Sequence, residues 1–226
     1  MRTCSIRLDP LHGDWQPRSL CVLLGSFDPV HRGHLWLLRQ ALAHAEAALA
    51  LIPTSHFHKE VSFPRNATFP MRQAMLRQVL STLPGPVRVG LTDEVLFIEL
   101  VRALGRRWPT TRVRLVMGWG VWQRARQSEA YYRQLGLPWG AAQEEELEAL
   151  LGGALVFDRG GAGRARCVPP SLRGISSTLV RRTARALHHR SAPGRAWSQE
   201  LEGLVEPATV RYIRRHGLYK LQKESS

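Results

Sequence analysis

Cysteine is scarce in this chain: Cys4, Cys21 and Cys167 are odd in number, widely spaced and never paired as Cys-x-x-Cys. That pattern argues against a disulfide framework and against a zinc site, and it makes a reducing cytoplasm the default compartment. No apolar stretch approaches the roughly 20 residues needed to cross a bilayer, so no membrane partner is expected. Residues 1–19 carry Arg2, Arg7, Asp9, Asp14 and Arg18 without an apolar core, so they do not read as a secretory signal. They read instead as an extension ahead of the first strand. Internal repeats and low-complexity linkers are missing as well. Acidic residues are few, 18 against 32 Lys and Arg, which leaves a formal net charge of +14. The arginines are scattered rather than gathered into a tail, and no RNA-binding aromatic signature accompanies them. An Arg-rich composition is the first explanation, attraction of anionic small substrates the second, and nucleic-acid binding a distant third.

What is present is a full core and an alternating pattern. With 226 residues, 44% of them hydrophobic, residues 20–226 suffice for a single domain. Strands are expected at 20–24, 48–52, 87–89, 113–117 and 154–157, from short apolar runs bounded by breakers. Helices are expected at 35–42, 71–83, 94–104, 121–135 and 143–151, and again after Ser176 and after Pro207. The helix at 143–151 is acidic and reads as a solvated face. Strands alternating with helices predict an α/β, Rossmann-like open parallel sheet with helices on both faces and a C-terminal helical segment. Ligands of such sheets bind outside the carboxyl ends of the strands.

The richest stretch is Gly25-Ser26-Phe27-Asp28-Pro29-Val30-His31-Arg32-Gly33-His34, a turn between the first strand and the first helix. Free backbone N–H groups at a helix start favour anions. Two histidines three positions apart share one face of the first helical turn, so both can address one phosphate. Asp28, before Pro29, reads as a cap on the turn rather than a metal ligand. A second stretch, Ile175-Ser176-Ser177-Thr178-Leu179-Val180-Arg181, opens a later helix. Its hydroxyls serve as ordinary N-caps, and with the Arg181 guanidinium they are equally suited to phosphate oxygens.

Together these stretches resemble the nucleotidyltransferase superfamily, and Phe27-Asp28-Pro29-Val30-His31-x-Gly33-His34 resembles bacterial nicotinate mononucleotide adenylyltransferases in particular. Ile175 to Arg181 falls far C-terminal of the histidines, as in that superfamily. Pro207 to Tyr219 is similar to the closing helix and Gly-Leu-Tyr tail of the same enzymes, and is assigned a structural role. Ile52-Pro53 followed by His56-Phe57-His58-Lys59 is similar to their Pro-rich loop. The chain departs from the family at two places. The stretch after Glu94 lacks a Ser-Tyr-Thr turn, and Gly120 stands two positions after Gly118 where the family carries an acidic residue.

The resemblance implies adenylyl transfer: the phosphate of nicotinate or nicotinamide mononucleotide attacks the α-phosphorus of ATP and pyrophosphate leaves, a step of NAD biosynthesis. It implies catalytic roles for His31, His34 and Arg181. Contacts to ATP and its phosphates fall to Gly25, Ser26, Phe27, Lys59, Gly118, Ser176, Ser177 and Thr178. Trp119 and Trp122 could stack on a base or pyridine ring, although aromatics at helical spacing more often pack. Mg²⁺ would bridge phosphates of ATP while keeping most of its waters, so no protein residue is assigned as a metal ligand. The partners are then ATP and a phosphorylated small-molecule acceptor, with a homo-oligomer left open. Two alternatives stand beside this reading. One is the same chemistry on a different phosphorylated acceptor; the other is a catalytically weak relative that binds nucleotides or RNA.

Overall fold

The computed structural model describes residues 6–9, 15–54, 66–94, 96–160 and 166–220. The elements run β1 (Ile6–Leu8), β2 (Ser19–Leu24), α1 (Arg32–Leu42), β3 (Ala47–Pro53), α2 (Phe69–Leu80), β4 (Val87–Thr92), α3 (Phe97–Arg107), β5 (Arg112–Gly118), α4 (Trp119–Ala125), α5 (Ser128–Gln134), α6 (Ala141–Gly153), β6 (Leu155–Asp158), β7 (Arg166–Cys167), α7 (Pro170–Arg173), α8 (Ser177–His189), α9 (Gly194–Leu201) and α10 (Pro207–Arg215). Seven strands form one sheet in the order β1-β4-β3-β2-β5-β6-β7. Every pairing is parallel except that of β1 with β4. The α/β, Rossmann-like sheet with C-terminal helices is therefore the fold of this chain.

The two faces of the sheet follow from alternation along the central strands. Cys21 and Leu23 of β2, Ala48, Ala50 and Ile52 of β3, and Val116 of β5 point one way. They meet Leu35 and Leu38 of α1, Met75 and Val79 of α2, Val180 and Leu187 of α8, and Ile213 of α10. Leu20, Val22, Leu49, Leu51, Leu115 and Met117 point the other way, onto Leu100 and Leu104 of α3 and onto Trp108. A strand with period 2 puts successive side chains on opposite faces, and both faces here are covered, so the runs are apolar throughout. Burying one such leucine contributes about 2 kcal/mol.

Chain order sets where a ligand can enter. From β2 the chain goes to β3 on one side, and only later returns to β5 on the other. The crevice of such a sheet lies at that reversal, at the carboxyl ends of β2 and β5. Gly25 follows β2 and Gly118 ends β5, on neighbouring strands whose register pairs Leu23 with Val116.

Several expectations change in detail. Ile6–Leu8, inside the stretch read as an extension, is itself an antiparallel edge strand. Trp15 meets Trp108 edge-on, and the Trp108 indole N–H donates to Trp15 O at 2.8 Å. The helix expected over 121–135 is two helices. The Ser128 hydroxyl donates to Ala125 O at 2.6 Å, and a serine that takes a carbonyl in this way competes with helix continuation. The acidic α6 is not solvated throughout, since Glu146 pairs with Arg102 of α3 at 2.6 Å. The helix expected from Glu94 begins at Phe97, because the Glu94 side chain accepts the Leu96 N–H. Helix α9 had no expectation at all.

Candidate active site

Helix α1 opens with a reciprocal cap made by the two histidines. His31 is the N-cap, and its Nδ1 accepts the His34 N–H at 3.4 Å. The His34 Nδ1 accepts the His31 N–H at 3.3 Å. An Nδ1 that accepts carries no proton, so both neutral rings hold theirs on Nε2. The rings stack with centroids 3.7 Å apart. Gly33 lets the rings sit this close, since a Cβ there would lie 3.1 Å from the His31 ring and push it aside. Phe27, fully buried, supports His34 from below at 4.7 Å.

Electrostatics keep both rings neutral. His31 is 4% exposed; burial, then the positive charge of Arg159, pushes its pKa down to about 3. Burial drives His34 well below its ordinary value, with His31 and Arg159 adding to the effect. The site thus presents two uncharged Nε2–H donors beside an exposed guanidinium. Arg159 follows β6 directly and belongs to this site, although nothing in the sequence alone singled it out.

The expectation that α1 offers free amides to an anion narrows to the Gly33 N–H, which has no partner among the described residues. The Arg32 N–H donates to Leu204 O at 2.9 Å, and the His34 N–H is taken by His31. Helix α8 leaves two amides open at its start. There Ser176 is the N-cap and accepts the Leu179 N–H at 3.1 Å. The amides of Ser177 and Thr178 come before the first intrahelical bond and have no partner among the described residues. Phosphate at such an end is stabilised by amide donors and by the helix dipole together.

The two stretches singled out in the sequence meet at one turn. Ser177 Oγ donates to Pro29 O at 2.9 Å, and Arg181 Nη1 donates to Asp28 O at 2.6 Å. Arg181 Nη2 donates to Thr178 Oγ1 at 3.3 Å. Its side chain stays 24% exposed, so it borders the cleft while being fixed from behind. The Ser177 hydroxyl proton is thereby committed to Pro29 O, whereas Ser176 Oγ accepts the Leu179 N–H and keeps its own hydroxyl proton as a donor.

Behind the turn sits a buried charge cluster. Asp28 is 2% and Arg72 1% exposed. Asp28 Oδ1 accepts from Ala67 N–H at 3.1 Å and from the Tyr219 hydroxyl at 2.9 Å. Its Oδ2 lies 3.5 Å from Arg72 Nη2. Arg72 also donates to Ala67 O and to Ser26 O, which fixes the backbone of the Gly25-Ser26 turn. Gly25 N–H donates to Leu51 O at 3.0 Å, continuing the sheet into that turn. Asp28 is thus enclosed by donors and offers no face to a metal. Arg72 and Tyr219 escaped sequence reasoning. A single buried arginine leaves no local pattern, and the Tyr219 tail was assigned only to packing.

Of the remaining expected residues, Gly118 ends β5 and is the N-cap of α4. Trp119 and Trp122 stack on each other with centroids 4.7 Å apart, and Arg126 lies over the Trp122 ring. Trp122 also packs against two apolar clusters. Lys59 falls outside the described residues. No group of three His, Cys, Asp or Glu side chains is gathered for a metal among the described residues, and no helix there is long and apolar enough to cross a membrane.

A parallel α/β sheet with paired histidines at the carboxyl end of its central strand defines a nucleotidyltransferase. The cytidylyltransferase-like family matches residues 22–126. The chain is 30% identical over 212 residues to a probable nicotinate-nucleotide adenylyltransferase of Bordetella avium, covering 88% of this chain and 96% of that protein. A probable nicotinate-nucleotide adenylyltransferase of Neisseria gonorrhoeae is 26% identical over 221 residues, covering 87% and 96%. Among solved structures, Plasmodium falciparum nicotinic acid mononucleotide adenylyltransferase complexed with NaAD superposes with a TM-score of 0.61. That likeness covers 89% of this chain and 97% of the other at 15% identity, and it concerns the fold. The chain belongs to the nicotinate-nucleotide adenylyltransferase family.

Proposed function

We propose that this enzyme transfers the adenylyl group of ATP to nicotinate or nicotinamide mononucleotide, releasing pyrophosphate, in the synthesis of NAD. The observation that carries the reading is the common anchorage of the two phosphate-facing elements. The turn that ends in His31 and His34 also holds Ser177 and Arg181 through Pro29 O and Asp28 O. One rigid unit therefore presents two imidazole Nε2–H groups, two helix amides and a guanidinium to one cleft.

The acceptor's phosphate is already a nucleophile, so the chemistry needs positioning and charge stabilisation rather than a general base. In-line attack at the α-phosphorus builds charge on its oxygens and on the leaving pyrophosphate. His31 and His34 donate to those oxygens as neutral groups that require no reorganisation. The amides of Ser177 and Thr178, with Arg181, hold the β- and γ-phosphates, and Arg159 adds charge beside the histidines. Gly25 and Ser26 let the nucleotide approach the backbone, Phe27 supports His34, and Lys59 is assigned to a phosphate. Mg²⁺ enters as part of the ATP substrate. Asp28, with its oxygens turned to Ala67, Tyr219 and Arg72, suits a metal carried on the triphosphate and largely hydrated, not one held by a protein cage.

For the acceptor, Gly118 lies at the β5 end of the crevice, and Trp119 carries the ring-stacking role better than Trp122, which is already engaged by Arg126 and the core. Gly120 and the stretch after Glu94 touch acceptor recognition and leave the phosphate groups intact, so a different phosphorylated acceptor is the second reading. The test is pyrophosphate release from Mg²⁺-ATP with nicotinate mononucleotide, nicotinamide mononucleotide and other phosphorylated acceptors offered in parallel. Turnover with either pyridine supports NAD synthesis. Turnover only with another acceptor moves the enzyme to a different pathway.

A further inference from the structure

The turn after α10 reaches the back of the phosphate site. Helix α10 closes with Gly217 at φ 58°, and the Leu218 N–H returns to Ile213 O at 3.0 Å, the glycine-dependent helix stop. Leu218 O is then held by His188 Nε2 at 2.9 Å. Tyr219 follows in a left-handed conformation, φ 67°, with its ring 2% exposed. Phe27, on the other side of Asp28, is also left-handed at φ 45°. Such backbone states persist in non-glycine residues only where surrounding contacts enforce them. Tyr219 is tied to Asp28 through its hydroxyl, and Phe27 precedes Asp28 in the chain.

We propose that Tyr219 is a positioning residue for the phosphate chemistry: by donating to Asp28 Oδ1 it limits the pull of that carboxylate on Arg181 and so keeps the Arg181 guanidinium facing the cleft. What the guanidinium then meets rests on the adenylyl-transfer reading. Asp28 is shared among four donors. Ala67 N–H and the Tyr219 hydroxyl bind Oδ1, Arg72 Nη2 lies 3.5 Å from Oδ2, and Arg181 Nη1 lies 4.0 Å from it. Oδ2 is buried without a hydrogen bond, so the carboxylate is under-satisfied even with Tyr219 present. Burial pushes the phenol well above its ordinary pKa, and the Asp28 charge adds to this, so it remains a donor across the neutral range. Without that donor, the under-satisfied carboxylate draws Arg181, the more exposed of its two arginines, inward from 4.0 Å. The same movement loosens the Arg181 bond to Asp28 O that ties α8 to the histidine turn.

Tyr219→Phe in the full chain is the test, because it removes one oxygen and keeps the ring. Leu218→Ala is the comparison, since it weakens packing of the same tail and leaves Asp28 alone. In Tyr219→Phe, a non-hydrolysable ATP analogue with Mg²⁺ binds about tenfold more weakly, one charge-assisted hydrogen bond's worth. KM for the pyridine mononucleotide stays unchanged, and the Arg181 Nε–H resonance shifts in the free protein. In Leu218→Ala the melting temperature falls while analogue affinity and the Arg181 resonance hold. Unchanged affinity or an unmoved Arg181 signal in Tyr219→Phe overturns the proposal, as does a Leu218→Ala variant that reproduces both effects. The Arg181 signal needs no ligand, so this outcome is separate from whether the wild type releases pyrophosphate with a pyridine mononucleotide.

Discussion

Replacing Asp28 with asparagine isolates the charge on which the site is built. The substitution keeps shape and one acceptor oxygen, which Ala67 N–H and the Tyr219 hydroxyl would retain. It leaves the Arg72 guanidinium, 1% exposed, without a carboxylate, and it turns an amide NH₂ toward Nη2, donor against donor. Breaking a buried pair by removing one partner costs about 3–5 kcal/mol, a large share of the roughly 5–15 kcal/mol that holds a typical domain together. For a chain of this size that is a fall in melting temperature of about 6–20 °C. Urea unfolding followed by tryptophan fluorescence measures it. The double variant Asp28→Asn/Arg72→Met removes the stranded charge, so its cost is smaller than the sum of the singles by more than about 1 kcal/mol. A single-variant loss under about 1 kcal/mol, or additivity within about 0.5 kcal/mol, refutes the account of Asp28 as the charge that Arg72 depends on.

Three further expectations follow from the same geometry. His34→Ala removes one Nε2–H donor and the acceptor for the His31 N–H; turnover falls about 10²–10³-fold while stability drops only about 1 kcal/mol, and full turnover in steady-state assays would sink the mechanism. His31 stays neutral in the folded protein down to about pH 3, whereas the unfolded chain takes up that proton near pH 6.5. The unfolded state therefore binds more protons between those values, and stability falls with falling pH by up to about 1.4 kcal/mol per unit. His31→Asn keeps an N-cap acceptor without the titration, so its acid-unfolding midpoint moves to lower pH; parallel acid limbs would contradict the burial argument. Trp15→Ala removes the edge contact with Trp108 and costs about 2 kcal/mol in urea, with ATP-analogue affinity unchanged; a variant as stable as the wild type would show that the N-terminal stretch rests on the sheet without supporting it.

The parts of this protein that were legible in its sequence are those whose signal is local. Apolar runs gave the central strands because both sheet faces are covered, and the start of α2 carries a local signal in Thr68, which caps the Met71 amide, and Pro70 in the first turn. The histidine turn and the Ser176 cap were readable because each completes its function within a few residues. The parts that stayed hidden are held at long range. Strand β1 is three residues with one face partly exposed, and only its pairing with Thr92, Leu91 and Gly90 makes it a strand. Arg72 reads as a helix-surface arginine until Asp28, Ser26 and Ala67 are brought around it. Arg159 becomes part of the site only because β6 lies beside β5.

That division explains why the phosphate half of the site is better defined than the acceptor half. The proposed phosphate contacts lie on two continuous segments, 25–34 and 176–181, which the sheet need only bring together, and the backbone itself would supply much of the chemistry. The proposed acceptor contacts, by contrast, come from separate elements, around the end of β5 and after Glu94. There this chain carries Gly120 and a stretch after Glu94 of its own. The tryptophan pair illustrates the consequence: helical spacing leaves both packing and ring stacking open to Trp119 and Trp122, and the helix stacks them on each other and brings Arg126 over Trp122. A pyridine ring would therefore have to stack on Trp119, with Trp122 and Arg126 as its backing. Trp119→Ala should then raise KM for the pyridine mononucleotide by about tenfold, the loss of one aromatic stack, and leave KM for ATP alone; a rise for ATP instead would place the adenine on that face.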